Sequence, residues 1–235
     1  MKFTNIFNQF LKGNQFNSAK IDNAFRLTSD KAVIYNYIDF EESNESSNIY
    51  LGHCFEEEYL DDQWANIVKD RYQLKILITL GTFLSNRTDV LQKLILTCKE
   101  YYAEALCVLV AGIGLDKLEQ LESKNIIMAE FIPQKALIPY MDIVIHHGGC
   151  NTFTESLFYE KPMVILPFSS DQFNIAYDAE KNKIASVLDP NNLEKVLISQ
   201  TIDYCLKNKS EDLKKWSNYS KERGPDYAAK KILEI

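Results

Sequence analysis

Residues 141–159 read MDIVIHHGGCNTFTESLFY and set out a strand, a turn and a helix in that order. The largely apolar run 141–145 is short enough to be a buried strand, and residues 153–159 show helical spacing. A strand that ends in His-Gly-Gly and turns into a helix directs backbone N–H groups, and the positive end of the helix dipole, at whatever lies there. The pattern therefore predicts a phosphate site at this turn.

A carboxylate follows this turn within the predicted helix. Glu155 lies eight residues after His147, one to two turns into the predicted helix. There it is placed to accept hydrogen bonds from hydroxyl groups such as those of a ribose. Taken singly, His147 would more often be a structural histidine and Glu155 a solvated helix carboxylate, but their spacing favours a ligand role. The two together predict a nucleotide that carries a diphosphate.

From residue 74 onward, apolar runs alternate with helical stretches. The predicted strands are residues 74–80, 105–110, 126–131, 142–145, 163–166 and 185–188. The predicted helices are residues 89–102, 134–140, 151–159 and 171–181, followed by three closing helices at 192–206, 211–219 and 227–235. Apolar strands joined by helices indicate a parallel sheet covered on both faces. The predicted fold is a Rossmann-like, doubly wound α/β sheet, which binds ligands beyond the carboxyl ends of its strands.

The first seventy residues read differently. Residues 1–23 are polar and helical in pattern, residues 32–38 and 48–51 are strand candidates, and residues 56–62 form an acidic, exposed linker. Two short strands do not make a stable sheet alone. We therefore expect residues 1–70 to be a remnant of another domain with its linker, and residues 71–235 to be the main domain.

Composition excludes several classes of partner. The 235 residues include 26 basic and 33 acidic side chains, a net charge of -7, and no Lys/Arg run forms a stripe, so nucleic acid is not expected as a partner. The five cysteines contain no C-x-x-C pair, which is typical of reduced thiols in a cytoplasmic protein. No signal peptide is visible, and the longest apolar run is far short of the roughly 20 residues of a transmembrane segment.

Residues 131–172, FIPQKALIPYMDIVIHHGGCNTFTESLFYEKPMVILPFSSDQ, resemble the donor half of the UDP-glycosyltransferase superfamily, which has the GT-B fold. Three features carry the likeness in family order and spacing: Pro133-Gln134, then His147-x-Gly149-x-Asn151-Thr152 with Glu155, then Asp171-Gln172. The likeness extends from about residue 74 to the end of the chain. It implies a C-terminal donor-binding domain preceded by a truncated acceptor domain.

The resemblance implies roles for the residues on the nucleotide side. The residue that matches Gln134 lies beside the uracil and ribose, and the one that matches Glu155 holds the ribose hydroxyls. His147 matches a residue that contacts the diphosphate, and Thr82 matches a position that approaches the phosphates.

It also implies roles around the diphosphate and the donor sugar. Gly149 belongs to the matched motif, and backbone N–H groups near Asn151 and Thr152 assist the diphosphate contact. The residues that match Asp171 and Gln172 hold hydroxyls of the donor sugar. From the residues themselves, Asp171 is equally well explained as a helix cap.

Three other side chains near the motif receive structural explanations. His146 lies on the opposite side of the strand from His147 and is expected to be a packing residue. Cys150 has no base beside it in sequence, so a nucleophilic role is not expected. Gln134 is also compatible with a plain loop position.

The resemblance implies transfer of a hexose from a UDP-sugar to a hydroxyl of a small hydrophobic or lipid acceptor, without a metal. Hydrogen-bond donors aimed at the leaving diphosphate stabilise the transition state of such a reaction. The general base of the family belongs to the acceptor domain, and His53 is not assigned that role. Two alternatives stay open: a nucleotide-sugar-binding subunit or fragment that needs a partner chain for activity, and another GT-B enzyme such as a sugar-nucleotide epimerase.

Overall fold

The computed structural model describes residues 2–13, 33–41, 48–68, 72–81, 84, 86–208 and 210–234. Its strands are β1 (Val33–Tyr35), β2 (Asn48–Tyr50), β3 (Lys75–Thr79), β4 (Leu106–Val110), β5 (Ile126–Ala129), β6 (Ile143–His146), β7 (Met163–Ile165) and β8 (Ala185–Val187). Its α-helices are α1 (Lys2–Gly13), α2 (Asp62–Ile67), α3 (Thr88–Tyr101), α4 (Gln134–Leu137), α5 (Cys150–Phe158), α6 (Asp171–Lys181), α7 (Lys195–Lys207), α8 (Glu211–Lys221) and α9 (Pro225–Leu233).

Strands β3 to β8 form a six-stranded sheet in the order β5-β4-β3-β6-β7-β8, and every pairing in it is parallel. The first strand of the sheet, β3, lies in the middle, and the chain builds outward on both sides of it. The strand order reverses between β3 and β6. In open α/β sheets this reversal opens a crevice at the carboxyl ends of the two strands, where ligands bind.

The central strands are buried on both faces. In β3, Ile76 and Ile78 belong to the core that faces α3 and α7, whereas Leu77 belongs to the core on the opposite face with Trp64 of α2. All three strand side chains are 0% exposed. A continuous apolar run is therefore required here, because alternate residues enter different cores. The predicted doubly wound fold is confirmed.

The helix predicted at residues 134–140 has two parts. Its first part is α4, and its second is a 3-10 turn, Ile138–Tyr140. Pro139 lies at the start of that turn. Since proline has no N–H group and its ring crowds the preceding turn, the tighter turn replaces a continued α-helix.

The described part of the front segment packs against the main sheet's helices. Strands β1 and β2 pair in parallel in a separate two-stranded sheet. Ile38 is 1% exposed, and the ring of Phe40 lies 4.7 Å from that of Trp216 in α8. His53 Nδ1 lies 2.8 Å from the carbonyl oxygen of Ser220, also in α8. These contacts give the short sheet the support that two strands lack alone, while the domain boundary at residue 70 stays a prediction.

Two further predictions concern the ends of elements in the front segment. Helix α1 lies within the predicted helical stretch 1–23, and residues 14–23 of that stretch are outside the described residues. The predicted acidic linker is exposed at residues 56–59, and α2 begins at its end.

None of the described helices is both long and apolar enough to cross a bilayer.

Candidate functional site

A cleft of about 930 Å³ opens at the carboxyl ends of the sheet strands. Its lining includes the last residues of β3 and β4, Thr79 and Val110, and three residues that follow strands, Gly81, Gly112 and Phe131. The predicted site residues that line it are Gln134, His147, Gly149, Asn151, Thr152, Glu155, Asp171 and Gln172. Thr82 lies outside the described residues. The structure thus brings together the predicted site residues that it describes.

The imidazole of His147 lies between two glycines that are far apart in sequence. A Cβ atom on Gly149 would lie 2.4 Å from its Nε2 atom, and one on Gly81 would lie 2.7 Å from its Cε1 atom. Gly81 also has a φ of +69°, a backbone conformation that residues with a side chain rarely adopt. The ring therefore occupies a slot that a larger residue at either position would close. The sequence places Gly149 beside His147, but it gives no sign that Gly81 completes the slot.

The environment of His147 keeps its ring neutral at neutral pH. Burial lowers its pKa, and the backbone of Thr79 and the charge of Asp171 oppose this only in part. Its Nδ1 atom is buried and has no hydrogen-bond partner among the described residues. A neutral imidazole still has one N–H group to donate. The ring lines the cleft, so with its proton on the nitrogen that faces the cleft it donates a hydrogen bond to an anion there.

His146 supports the turn from beneath. Its side chain is 0% exposed, and its Nδ1 atom accepts a hydrogen bond of 3.1 Å from the backbone N–H of Gly148. Burial, with the neighbouring His147, lowers the pKa of His146 to about 3. The prediction that His146 is a packing residue is confirmed, and its bond to Gly148 also fixes the glycine turn.

Helix α5 begins at this turn without a side-chain cap. Its N-cap residue is Gly149, which makes no side-chain cap hydrogen bond, and its first turn contains no acidic residue. The first N–H groups of a helix have no partner within it. They carry the positive end of the helix dipole and bind anions such as phosphate. The start of α5 is therefore suited to a diphosphate.

Further along α5, Glu155 forms the opposite end of the site. Its side chain is 7% exposed, and its Oε2 atom accepts a hydrogen bond of 2.7 Å from Nε2 of Gln134. The same amide donates to Thr152 Oγ1 at 3.2 Å. Burial raises the pKa of Glu155, while the bond from Gln134 and the charge of Lys135 lower it. A carboxylate has two oxygens, so this one bond leaves capacity for the hydroxyl donors of a ligand.

The start of α6 differs from one of the sequence interpretations. Ser170 is the N-cap residue, and Asp171 is the first residue of the helix, so capping does not account for Asp171. Asp171 is exposed and faces the cleft. Gln172 uses its Oε1 atom to accept hydrogen bonds from the backbone N–H groups of Phe168 and Ser169, at 2.8 and 3.3 Å. Its amide NH₂ group is the end available to a ligand.

Among the lining residues that were not predicted from the sequence as site residues are Glu58, Lys135 and Phe131. Glu58 and Lys135 form an ion pair at the rim, and both line the cleft. Phe131 is 82% exposed and lines the cleft beside Pro133. Phe131 lies two residues before Pro133-Gln134, so its closeness to that motif was available in the sequence, whereas its exposure was not. The approach of Glu58 depends on the folding of the front segment and gives no such signal.

Among the described residues, no three His, Cys, Asp or Glu side chains gather as they would around a metal ion. Chemistry without a metal stays a prediction for this chain.

Residues 75–231 match the profile of the family described as Glycosyltransferase family 28 C-terminal domain. The chain belongs to this family. The predicted site residues that line the cleft all fall within the match. The match confirms the predicted resemblance to glycosyltransferase donor domains.

Individual relatives agree with this assignment. The chain is 27% identical over 135 residues to "Uncharacterized UDP-glucosyltransferase YojK" of Bacillus subtilis, a match that covers 57% of this chain and 33% of that protein. The solved structure of the glycotransferase of kitacinnamycin covers 98% of this chain with a TM-score of 0.78 at 18% identity, and 60% of that protein is covered. Spinosyn rhamnosyltransferase SpnG complexed with thymidine diphosphate gives a TM-score of 0.59 at 19% identity, over 72% of this chain and 47% of that protein.

The two structural likenesses show that the fold is that of a GT-B glycosyltransferase. The chain spans about a third of the length of the curated relative and about half of the solved ones.

Proposed function

We propose that this chain binds the donor of a glycosyltransferase that moves a hexose from a UDP-sugar to a hydroxyl of a small hydrophobic or lipid acceptor. One observation carries the proposal: a single cleft contains both the uncapped start of α5 beside His147 and the buried pair Glu155–Gln134. Residues 150 and 155 are about 7.5 Å apart along the helix axis. This separation suits a diphosphate at one end and a ribose at the other.

The proposed chemistry follows from this arrangement. The bond between the anomeric carbon and the diphosphate oxygen breaks, and the acceptor oxygen bonds to that carbon from the opposite face, with inversion. Negative charge grows on the departing diphosphate. The first-turn N–H groups of α5 and the N–H group of His147 lie where they would stabilise that charge, which lowers the barrier. The acceptor proton passes to a base outside the residues of this cleft.

Glu155 favours UDP over TDP as the nucleotide. A carboxylate beside the ribose accepts hydrogen bonds from both the 2′- and 3′-hydroxyls, whereas TDP has no 2′-hydroxyl. One structural relative, SpnG, was solved with thymidine diphosphate, so the preference requires a direct comparison. The preference for UDP concerns only the donor nucleotide, since the residues named here are assigned to the donor and not to the acceptor.

Calorimetry with UDP and TDP tests the binding part of the proposal. We expect the chain to bind UDP in the micromolar range, and His147→Ala to weaken this by about tenfold or more, since a hydrogen bond to a charged group is lost. Asn208→Ala, at the end of α7 and away from the cleft, is the control. No UDP binding in the millimolar range, or binding that His147→Ala leaves unchanged, would contradict the proposal.

A second candidate is a donor-binding subunit that acts only with a partner chain, since the residues that line the cleft are assigned to the donor and none of them is assigned as the general base. Incubation of the purified chain with a radiolabelled UDP-sugar, with and without cell extract, separates the candidates. Transfer or slow hydrolysis by the chain alone supports an enzyme. Transfer that needs both the chain and the extract supports the partner-dependent subunit, and no turnover in either supports a binding protein.

A further inference from the structure

The front segment reaches the start of α5 through Asn36. Its Nδ2 atom donates a hydrogen bond of 3.0 Å to Oδ1 of Asn151, the second residue of α5. Its backbone oxygen accepts a bond of 2.6 Å from Sγ of Cys150, the first residue of that helix. Asn36 lies outside residues 75–231, the part of the chain that matches the family. A residue from the front segment therefore contacts the proposed diphosphate site.

The hydrogen bond from Asn36 sets the direction of the Asn151 amide. A side-chain amide has an acceptor end and a donor end. Asn36 engages the acceptor end of Asn151, so the NH₂ end is left for another partner. Asn151 is exposed and lines the cleft, where that partner would be a phosphate or sugar oxygen.

Asn36 itself is poorly explained as a stabilising residue. Its Oδ1 atom is buried and meets no hydrogen-bond donor among the described residues. A buried acceptor without a donor destabilises a fold. Its neighbours anchor the segment instead: Tyr37 donates to Asp178 Oδ2 at 3.2 Å, and Ile38 is fully buried in the core.

We propose that Asn36 is a positioning residue for the diphosphate end of the donor site, acting through Asn151. The proposal rests on the function proposed above. It makes the front segment part of the donor site. The orientation of the Asn151 amide, which lines the cleft, depends on the side chain of Asn36, more than a hundred positions earlier in the chain.

The test compares UDP with uridine, which lacks the diphosphate. Asn36→Ala should weaken UDP binding about fivefold to twentyfold, within the range of a hydrogen bond to a charged group, and leave uridine binding within about twofold. Asn36→Asp should weaken UDP binding further, since its carboxylate takes up the Asn151 NH₂ group and repels the diphosphate. Tyr37→Phe loses a hydrogen bond in the same segment but away from the cleft. It should therefore leave the ratio of the UDP affinity to the uridine affinity unchanged.

A double mutant shows whether the effect passes through Asn151. In an Asn151→Ala background, Asn36→Ala should change UDP affinity by less than about twofold, because the coupled partner is gone. Thermal melts accompany each variant, and Asn36→Ser replaces Asn36→Ala if the latter does not fold. Equal losses for UDP and uridine, or a loss that persists without Asn151, would overturn the role of Asn36. Absence of UDP binding by the unmutated chain would instead overturn the proposed function.

Discussion

A Cβ atom on Gly149 would lie 2.4 Å from Nε2 of His147, a separation that no side chain could keep. Glycine at position 149 therefore allows the imidazole to lie against the start of α5. The ring and the first N–H groups of the helix then face one cleft. This arrangement places every proposed contact to the diphosphate within a few residues of the turn after β6.

Gly149→Ala tests the slot around His147. The added methyl group must displace the imidazole, so we expect UDP affinity to fall by about tenfold or more, close to the effect of His147→Ala. Calorimetry measures the affinity. Gly13→Ala is the matched control, since a Cβ atom there meets nothing within 4 Å. A Gly149→Ala variant that binds UDP normally would show that the position of the ring does not matter.

Glu155→Gln tests the proposed ribose contact. The change keeps the size of the side chain but removes the charge that attracts hydroxyl donors, so we expect about a tenfold loss of UDP affinity. The loss should be smaller for 2′-deoxy-UDP, which has one hydroxyl fewer to lose. Glu160→Gln, exposed just beyond the end of α5, should have no effect. If Glu155→Gln lowers the affinities for UDP and 2′-deoxy-UDP equally, Glu155 does not contact the 2′-hydroxyl.

His146 should make the stability of the fold depend on pH. Burial, with a smaller effect of the neighbouring His147, lowers its pKa from 6.5 to about 3 in the folded chain. Below pH 6.5 the unfolded chain takes up a proton that the folded chain does not, so the free energy of unfolding decreases as the pH falls. The slope from this one group rises to about 1.4 kcal/mol per pH unit once the imidazole of the unfolded chain is fully protonated.

Urea unfolding between pH 6.5 and 5 measures this slope. The lowered pKa of His147 adds to it in the same direction, whereas the raised pKa of Glu155 acts with the opposite sign at lower pH. His146→Gln should reduce the mean slope over this range by about 1 kcal/mol per pH unit, since the unfolded imidazole is only half protonated at pH 6.5. An unchanged slope would mean that His146 is protonated in the folded chain.

Phe40→Ala tests whether the front segment contributes to the stability of the main domain. Phe40 packs edge-on against Trp216 and lies 6.4 Å from the ring of Phe153. Loss of this ring should lower the free energy of unfolding by about 2–4 kcal/mol. Ile34→Ala, at a side chain that is 48% exposed, should change it by less than about 0.5 kcal/mol. Equal stability of the two variants would show that the segment is only loosely attached.

The sheet could be predicted from the sequence because its strands are buried on both faces. Strands β3 and β6 are apolar except at their ends, at Lys75, Thr79 and His146, and such runs between helical stretches leave little alternative to a parallel sheet. The predicted strand 126–131 ends instead at Ala129, because Glu130 and Phe131 are already exposed at the cleft. The motif around His147 likewise predicted the site, since its residues are close in sequence.

Contacts between distant segments could not be predicted in this way. Gly81 and His147 meet because β3 and β6 are neighbours in the sheet, and no local pattern encodes that pairing. Asn36 reaches Asn151 only because Ile38 and Phe40 are held by the cores on α5 and α8. Periodicity reports which face of an element is buried, but it does not report which distant side chain completes a site.

A crystal structure of this chain with UDP would show directly where the nucleotide binds. We expect the diphosphate against the first N–H groups of α5, within hydrogen-bonding distance of His147, and the ribose hydroxyls at Glu155. A nucleotide bound elsewhere, or one whose ribose lies at α6 and not at Glu155, would contradict it.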